Sequence, residues 1–205
     1  MLSNISLIIY FFLFYLIGSI PVGLIISKLF TNTDLRVLGS KNIGSTNAAR
    51  VLGLRYGLII FILDFLKGFW LIIIQNNKDL FCYGGFFIVI GQMFSIFNRF
   101  KGGKAIATSV GFITAINYYI GISGIILFII FIRISGYASL SSILSTVLVN
   151  VFLWIGYHLE LIKPIDLSQL WIILIITIII IIKHMNNIKN LIKGCENRFY
   201  FGKKK

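Results

Sequence analysis

Charge is scarce in this chain. Only 12% of its 205 residues are charged, about half of what a soluble domain of this length carries. Just six residues are acidic, scattered from Asp34 to Glu196. They form no Asp-rich metal motif, which excludes the chemistry of CDP-alcohol phosphotransferases. His158 and His184 are the only histidines, and the topology below separates them. A zinc or di-metal centre is therefore not expected, nor is any other cofactor. No Gly-x-Ser-x-Gly elbow with acid and His partners occurs. The His-and-Asp pair of soluble-facing glycerolipid acyltransferases is also missing, because Lys163 and Lys189 stand five positions after the two histidines. Proline appears twice, in a chain heavy with Ile, Phe, Asn and Lys. That bias fits an AT-rich genome and leaves a single Ile-rich patch with little meaning. Cysteine also appears twice, as Cys82 and Cys195, on opposite sides of the membrane in the topology below, so no disulfide is expected.

Apolar sequence is abundant instead. Hydrophobic residues make up 58% of the chain, and the mean hydropathy is +0.96. The excess lies in runs long enough to cross a bilayer, for which ~20 apolar residues suffice. No hydrophilic stretch could form a separate soluble domain. The expected fold is all-α and polytopic, one membrane domain over 1–205 with about seven transmembrane helices. The spans read as roughly 5–30, 54–75, 81–98, 105–118, 120–132, 139–157 and 167–183, the fourth and fifth short enough to be a tilted or re-entrant pair. Gly18, Ser19 and Pro21 break the first one. The opening "MLSNISLIIYFFLF" lacks a charged n-region and a cleavage site, and reads as the start of a retained span.

The formal charge is +13. The cations lie beside apolar spans, so lipid headgroups and phosphorylated substrates are the expected partners, and nucleic acid is not. Lys28, Arg36, Lys41, Arg50 and Arg55 surround the first polar loop, Arg99, Lys101 and Lys104 the second, Arg133 a third, and Lys183, Lys189, Lys193, Arg198 and Lys203 to Lys205 the tail. The alternate loops hold Lys78 beside Asp79, and Lys163 between Glu160 and Asp166. The positive-inside rule then places the N-terminus outside and the C-terminus in the cytoplasm. The polar, glycine-rich stretches sort to that same side, as one cytoplasmic-face site built from several loops would require.

Four stretches carry the candidate chemistry. In "LGSKNIGSTNAARVLG" (38–53), Gly39, Gly44 and Gly53 permit an anion-binding nest. Ser40, Asn42, Ser45, Thr46 and Asn47 add neutral donors, and Arg50 a planar fork for phosphate; a simple turn with a helix cap is the plainer alternative. In "FNRFKGGKAIATSVG" (97–111), Gly102 and Gly103 sit between Lys101 and Lys104, a second phosphate cradle opening a helix. It is not a P-loop, and the plainer alternative is a basic interface anchor. In "KHMNNIKNLIKGCENRF" (183–199), His184 and Asn187 share a helix face and Glu196 closes the segment; a basic amphipathic tail on anionic lipid competes with that reading. In "SGYASLSSIL" (135–144), Ser139 and Ser142 stand at helical spacing where a span begins, as packing residues also do. Within the second span, Asp64 and Lys67 stand three apart. An ionisable residue there costs ~2.5–3.5 kcal/mol on insertion scales, and an ion pair that supports the site from below reduces that cost. A site rich in phosphate ligands and poor in acid–base groups suits an already activated substrate. An acyl phosphate fits: two phosphates meet two Gly-and-cation loops, and an acyl chain lies between the spans.

These motifs, in this order, resemble the acyl-phosphate:glycerol-3-phosphate acyltransferases, the PlsY family. "GSIPVG" (18–23) is similar to its opening span, "DLRVLGSKNIGSTNAARVLG" (34–53) to its first signature, and "LDFLKG" (63–68) to its second-span pattern. "GQMFSIFNRFKGGKAIATSVG" (91–111) and "HMNNIKNLIKGCE" (184–196) are similar to the second and third signatures. The resemblance implies a seven-span, multi-pass enzyme of the bacterial inner membrane, with its site on the cytoplasmic face. It would transfer a fatty acyl group from acyl phosphate to the 1-position of sn-glycerol 3-phosphate, giving lysophosphatidic acid and phosphate, the first step of phospholipid synthesis. Membrane lipids and the enzyme that makes acyl phosphate are further expected partners. It assigns Ser40, Asn42, Gly44, Thr46, Asn47 and Arg50 to the substrate phosphate, and Lys101, Gly102, Gly103 and Lys104 to the other phosphoryl group. Ser139, Ser142, His184, Asn187 and Glu196 complete the site, with Ser40, Lys104 and His184 catalytic and Asp64, Lys67 and Gln92 behind it. The family usually has His at position 92, Pro at 95 and Arg at 190, where this chain has Gln92, Ser95 and Asn190. Either His184 or a substrate phosphate oxygen could then serve as base. The alternative from another class is a small transporter of a phosphorylated metabolite, which would show repeated halves and midplane polar residues open to both sides. A purely structural membrane protein is disfavoured by the three polar signatures.

Overall fold

The computed structural model describes residues 4–74, 76, 78–162 and 166–200, and only the backbone of Asn4, Ile72, Lys78 and Asp79. Lys163 and Lys203 to Lys205, counted among the charges above, lie outside the described residues. The described residues are helical, without strands. They form α1 (Asn4–Ser19), α2 (Val22–Thr31), α3 (Ser45–Leu52), α4 (Leu54–Phe69), α5 (Lys78–Met93), α6 (Ile106–Ile116), α7 (Tyr118–Ser135), α8 (Ala138–His158), α9 (Leu167–Lys183) and α10 (Met185–Ile192).

Among the described residues, four segments are long and apolar enough to cross a membrane: Ile5–Thr31, Leu80–Asn98, Tyr118–Ser135 and Ala138–His158. A fifth appears if α9 and α10, bent by 51° at His184, count as one. The expected fourth span is shorter than the sequence reading. α6 has 11 residues, about 16 Å of helix, against a hydrocarbon core of about 30 Å. A single residue, Asn117, joins it to α7, and its side chain caps the new helix by accepting from Ile120 N–H at 3.2 Å.

Helices approach closely where glycine stands at the contact. A Cβ on Gly111 would lie 2.0 Å from the Phe65 carbonyl oxygen, and one on Gly68 would lie 2.2 Å from that of Thr108. The two glycines face each other's helices and bring α4 and α6 to backbone contact. The main core is formed by Leu71, Ile88, Met93, Phe112, Leu153 and Ile173, all essentially inaccessible. A smaller cluster of Leu24, Leu35, Ile43, Ala48 and Ile60 holds the first polar loop and α3 against α2 and α4.

The break in the first span is stabilised by side chains. Between Ser19 and Val22 the helical ladder stops at Pro21, and freed carbonyls in an apolar setting need donors. Ser95 Oγ donates to the Ser19 carbonyl, and Lys67 Nζ donates to that of Ile20 at 2.6 Å. The same ammonium meets Asp64 Oδ1 at 2.8 Å and Gln92 Oε1 at 2.6 Å. Asp64, Lys67 and Gln92 are all buried. Removing one partner of such a pair costs ~3–5 kcal/mol, whereas replacing both with apolar residues is far milder. Lys67→Met is therefore expected to abolish the folded, monodisperse fraction in detergent. Lys67→Met with Asp64→Leu should recover much of it in size-exclusion thermostability scans. Equal loss in both would mean that the lost Lys67 bonds to the break and to Gln92, and not an uncompensated Asp64 charge, set the cost.

Candidate active site

The first polar loop folds around one side chain. Asn47, at the start of α3, is 2% exposed and shares its amide N–H groups among the carbonyls of Leu35, Leu38 and Asn42 at 3.2, 3.0 and 2.8 Å. Its oxygen accepts from Ser40 N–H at 2.8 Å. The chain can wrap this closely because Gly39 has φ +60, where a Cβ would stand 2.3 Å from Asn47 Oδ1. Asn42 Oδ1 accepts from Gly44 N–H at 3.0 Å, a short Asx turn that delivers the chain into α3. Gly44, at the N-cap, offers no side-chain cap, so the first N–H groups of α3 remain available to an anion.

The second loop is fastened to the end of α5. Gly102 N–H donates to the Met93 carbonyl at 3.2 Å and Gly103 N–H to that of Gln92 at 3.0 Å. Lys183 Nζ reaches the Met93 carbonyl at 2.9 Å, and Tyr15 Oη the Phe94 carbonyl at 2.6 Å. These donors satisfy terminal carbonyls that the helix itself leaves open. A Cβ at Gly102 would lie 2.2 Å from the Gln92 carbonyl oxygen, so only glycine fits.

Both loops, with α4, α6, α7, α8, α9 and the tail, enclose a cavity of about 510 Å³. Its polar end holds Ser40, Asn42, Gly44, Thr46, Asn47 and Arg50 from the first loop and α3, and Gly103 and Lys104 from the second. Ser139 and Ser142 of α8 join them, with His184, Asn187 and Glu196. Lys104 Nζ donates to Asn187 Oδ1 at 2.6 Å, and Asn187 Nδ2 and Ser139 Oγ each donate to Glu196 Oε1 at 2.7 Å. Asp64 and Gln92 also line the cavity. Three expected residues do not: Lys67 lies behind it, and Lys101 and Gly102 face another recess.

The lining also includes residues that the motifs did not single out. Leu58 and Phe61 of α4, Phe128 and Ile132 of α7, Val149 of α8 and Ile176 of α9 form an apolar extension. Thr108, Ser109, Ser145 and Phe199 contribute as well. Ordinary Ile- and Phe-rich span sequence gave no signal for the apolar wall; two adjacent hydroxyls in an apolar helix, Thr108 and Ser109, were a signal that passed unused. Arg50 Nε, Thr108 Oγ1, Ser109 Oγ and Glu196 Oε2 are buried without a hydrogen-bond partner, and all four residues line this one cavity. Unpaired buried polar atoms are rare enough that such clustering marks a place for a polar ligand.

Burial tunes the ionisable groups here. Desolvation pulls the Lys104 ammonium down to about 8, with Glu196 opposing and Arg50 adding to the shift. His184 falls to about 4, first from burial and then from the Lys104 charge. The imidazole is neutral at pH 7, and because Nδ1 lies 2.8 Å from the Ile180 carbonyl, Nδ1 carries the proton and Nε2 is an acceptor. Among the described residues no cluster of His, Cys, Asp and Glu could hold a metal. Neither Cys82 nor Cys195 is in a disulfide.

Asn47→Asp should open the first loop while the helices persist, since a carboxylate would face the three carbonyls. Leaving such groups unmet costs ~1–3 kcal/mol each. Hydrogen exchange should rise on the order of a hundredfold over residues 35–44 and stay unchanged in α5. Unaltered protection of the loop would remove Asn47 as its organiser.

The family model for glycerol-3-phosphate acyltransferase matches residues 8–194. A glycerol-3-phosphate acyltransferase of the aster yellows witches'-broom phytoplasma is 46% identical, covering 98% of this chain and 100% of its own. That of Aquifex aeolicus is 37% identical over 90% of this chain and 95% of its own. Two crystal structures of PlsY, an integral membrane glycerol 3-phosphate acyltransferase, superpose closely. Its glycerol 3-phosphate form gives a TM-score of 0.86 at 34% identity, covering 95% of this chain and 96% of that one. Its lysophosphatidic acid form gives 0.84 at 33%, covering 96% of each.

Proposed function

The chain belongs to the glycerol-3-phosphate acyltransferase family, and on that premise we propose that it acylates the 1-hydroxyl of sn-glycerol 3-phosphate with acyl phosphate as donor. The supporting observation is the cavity itself, cationic and amide-lined at one end and apolar at the other. A phosphorylated small molecule and a fatty chain are the two parts such a space accommodates.

In the reaction the glycerol oxygen attacks the acyl carbonyl carbon. A C–O ester bond forms, the bond between the acyl carbon and the phosphate oxygen breaks, and phosphate leaves with its electron pair. The glycerol phosphate sits on Arg50, Ser40, Thr46 and the free N–H groups of α3, whose partial positive charge favours an anion. Lys104 neutralises the departing phosphate beside Gly103, its ammonium held in place by the Lys104–Asn187–Glu196–Ser139 chain. Lys101 and Gly102 take no part in that grip. Ser142, His184 and Asn42 complete the polar wall. The hydroxyl proton passes to a substrate phosphate oxygen: a phosphate monoester with its second pKa near ~6 is a stronger base than an imidazole held at about 4. His184 accepts a hydrogen bond through Nε2 and orients the hydroxyl.

The loops and their cations support a topology of seven spans, with the N-terminus outside and the tail and site on the cytoplasmic face of the bacterial plasma membrane. In this arrangement α4 with its following turn, and the short α6, count as spans. Membrane lipids surround the protein, and an acyl-phosphate-producing enzyme supplies the donor.

In proteoliposomes, labelled glycerol 3-phosphate should yield lysophosphatidic acid with palmitoyl phosphate and none with palmitoyl-CoA. Product from the thioester alone would overturn the donor assignment. Lys104→Ala and Ser40→Ala should each lower turnover by at least a hundredfold without unfolding the protein, as loss of a group that stabilises transition-state charge does.

The pH profile tests Lys104 separately. Its free-enzyme pKa of about 8 lies below that of an exposed lysine, so its charge disappears as pH rises through 8. The value of kcat/KM for glycerol 3-phosphate should therefore fall above pH 8, roughly tenfold per unit. Lys104→Arg, with whatever activity it retains, should lack that decline.

A further inference from the structure

The two polar loops have two sides. In the first, Ser40, Asn42 and Gly44 line the cavity, while the intervening Lys41 and Ile43 line a separate recess of about 600 Å³. The second divides likewise, Gly103 and Lys104 facing the cavity and Lys101 and Gly102 the recess. The loops thus form a partition with an opening on either side.

Four cations converge on the far side: Arg36, Lys41, Arg99 and Lys101. Among the described residues, the one carboxylate paired with any of them is Asp34, which meets Arg36 at 2.7 Å. That hydrogen-bonded pairing holds the Asp34 carboxyl down at about 2. Arg36 Nη1 donates onward to Asn98 Oδ1 at 3.1 Å, and buried Asn98 fixes the loop through the Lys101 carbonyl. The side chains of Lys41, Arg99 and Lys101 have no hydrogen-bond or ion-pair partner among the described residues. Three unpaired cations directed to one concavity lack a counter-charge. Phe97, which lines the recess, is 60% exposed, and Val37 and Phe100, the chain neighbours of Arg36 and of Arg99 and Lys101, are 66% and 59% exposed. Large apolar side chains beside cations form the pattern of a bilayer interface.

We infer that this recess is a second anion site, which binds the phosphate group of a ligand other than the reacting pair. The chemistry is that of a phosphate mono- or diester, carried by a lipid headgroup or free in solution. Arg99 offers a planar fork and the two lysines compact charges, a combination suited to phosphate oxygens. Because residues 40–44 and 101–104 form the wall of both spaces, an occupant on one side orders backbone that contacts the other. Ordering already achieved need not be repeated on binding glycerol 3-phosphate, so the two sites are positively coupled. The coupling rests on the function proposed above; the binding site does not.

The test uses the whole protein in nanodiscs of phosphatidylcholine, with or without phosphatidylglycerol. Lys41→Gln with Arg99→Gln alters the recess. Arg55→Gln with Lys189→Gln removes the same charge elsewhere. Native mass spectrometry reads retained phosphatidylglycerol, and phosphorus NMR titration in pure phosphatidylcholine discs reads inorganic phosphate, with Arg50→Gln added to disable the catalytic cavity. The recess pair should lower retained phosphatidylglycerol by roughly tenfold or more, and the control pair by far less. Phosphatidylglycerol should lower the KM for glycerol 3-phosphate in the wild type and not in the recess pair. If phosphatidylglycerol retention is insensitive but saturable phosphate binding is lost only in the recess pair, the site stands and its ligand is the free anion. Identical behaviour of the recess and control pairs in both binding measurements overturns the site. Recess binding without turnover in any protein would instead count against the acyl-transfer reading alone.

Discussion

A lysine ammonium in the apolar interior needs acceptors, and Lys67 finds three on three different segments. Asp64 is on its own helix, Gln92 is on α5, and the Ile20 carbonyl belongs to the break between α1 and α2. The charge can be buried only if those segments meet at one point, so its desolvation cost becomes a geometric constraint on the bundle. The constraint lies against the cavity, which Asp64 and Gln92 line. It also ties the break in the first span to α4 and α5, because the Ile20 carbonyl within that break is one of the acceptors. Gln92 fits this role well. An amide oxygen accepts from the ammonium at any pH, whereas an imidazole could do so only while neutral. The exchange of the family's usual His for Gln therefore has a structural reading that requires no proton transfer at position 92.

The polar loops are held by backbone hydrogen bonding more than by their charges. Asn47 gathers three carbonyls, and the open end of α5 receives the glycine pair, Lys183 and Tyr15. Both devices meet one requirement: main-chain groups near the bilayer find partners within the protein. With the loop backbone fixed this way, Arg50, Ser40 and Lys104 are left to face the cavity.

Much of this arrangement was legible in the sequence, for specific reasons. The long apolar runs gave the helices, and Pro21 with its neighbours gave the break. The Asp64–Lys67 spacing gave the buried pair, because three residues is a helical contact distance. The glycine-and-cation loops pointed to an anion site. What escaped was direction. Composition cannot show that Lys101 and Lys104, three residues apart in one motif, face opposite sides of a wall, since the intervening chain is not helical. It also cannot show that Asn47 is an internal strut while Arg50, one turn later, retains a free Nε. The extent of α6 was overestimated because apolar sequence continues on both sides of Asn117, whose side chain caps the start of α7 and so divides the run.

The shortness of α6 sets a depth. Its 11 residues rise about 16 Å and the 18 of α7 about 27 Å, and one residue joins them at their far ends. Measured along the two helix axes, the glycine–lysine loop that feeds α6 is thus roughly 10 Å closer to the shared joint than the far end of α7 is. In a bilayer this carries ammonium and amide groups down towards the fatty chains, with no need to raise those chains towards water. Each methylene drawn out of the hydrocarbon would cost about 0.8 kcal/mol, so bringing eight of them to the surface would cost about 6 kcal/mol. The protein lowers its polar groups by the same distance once, when it folds, and that expense does not recur with each molecule of lipid it acts upon.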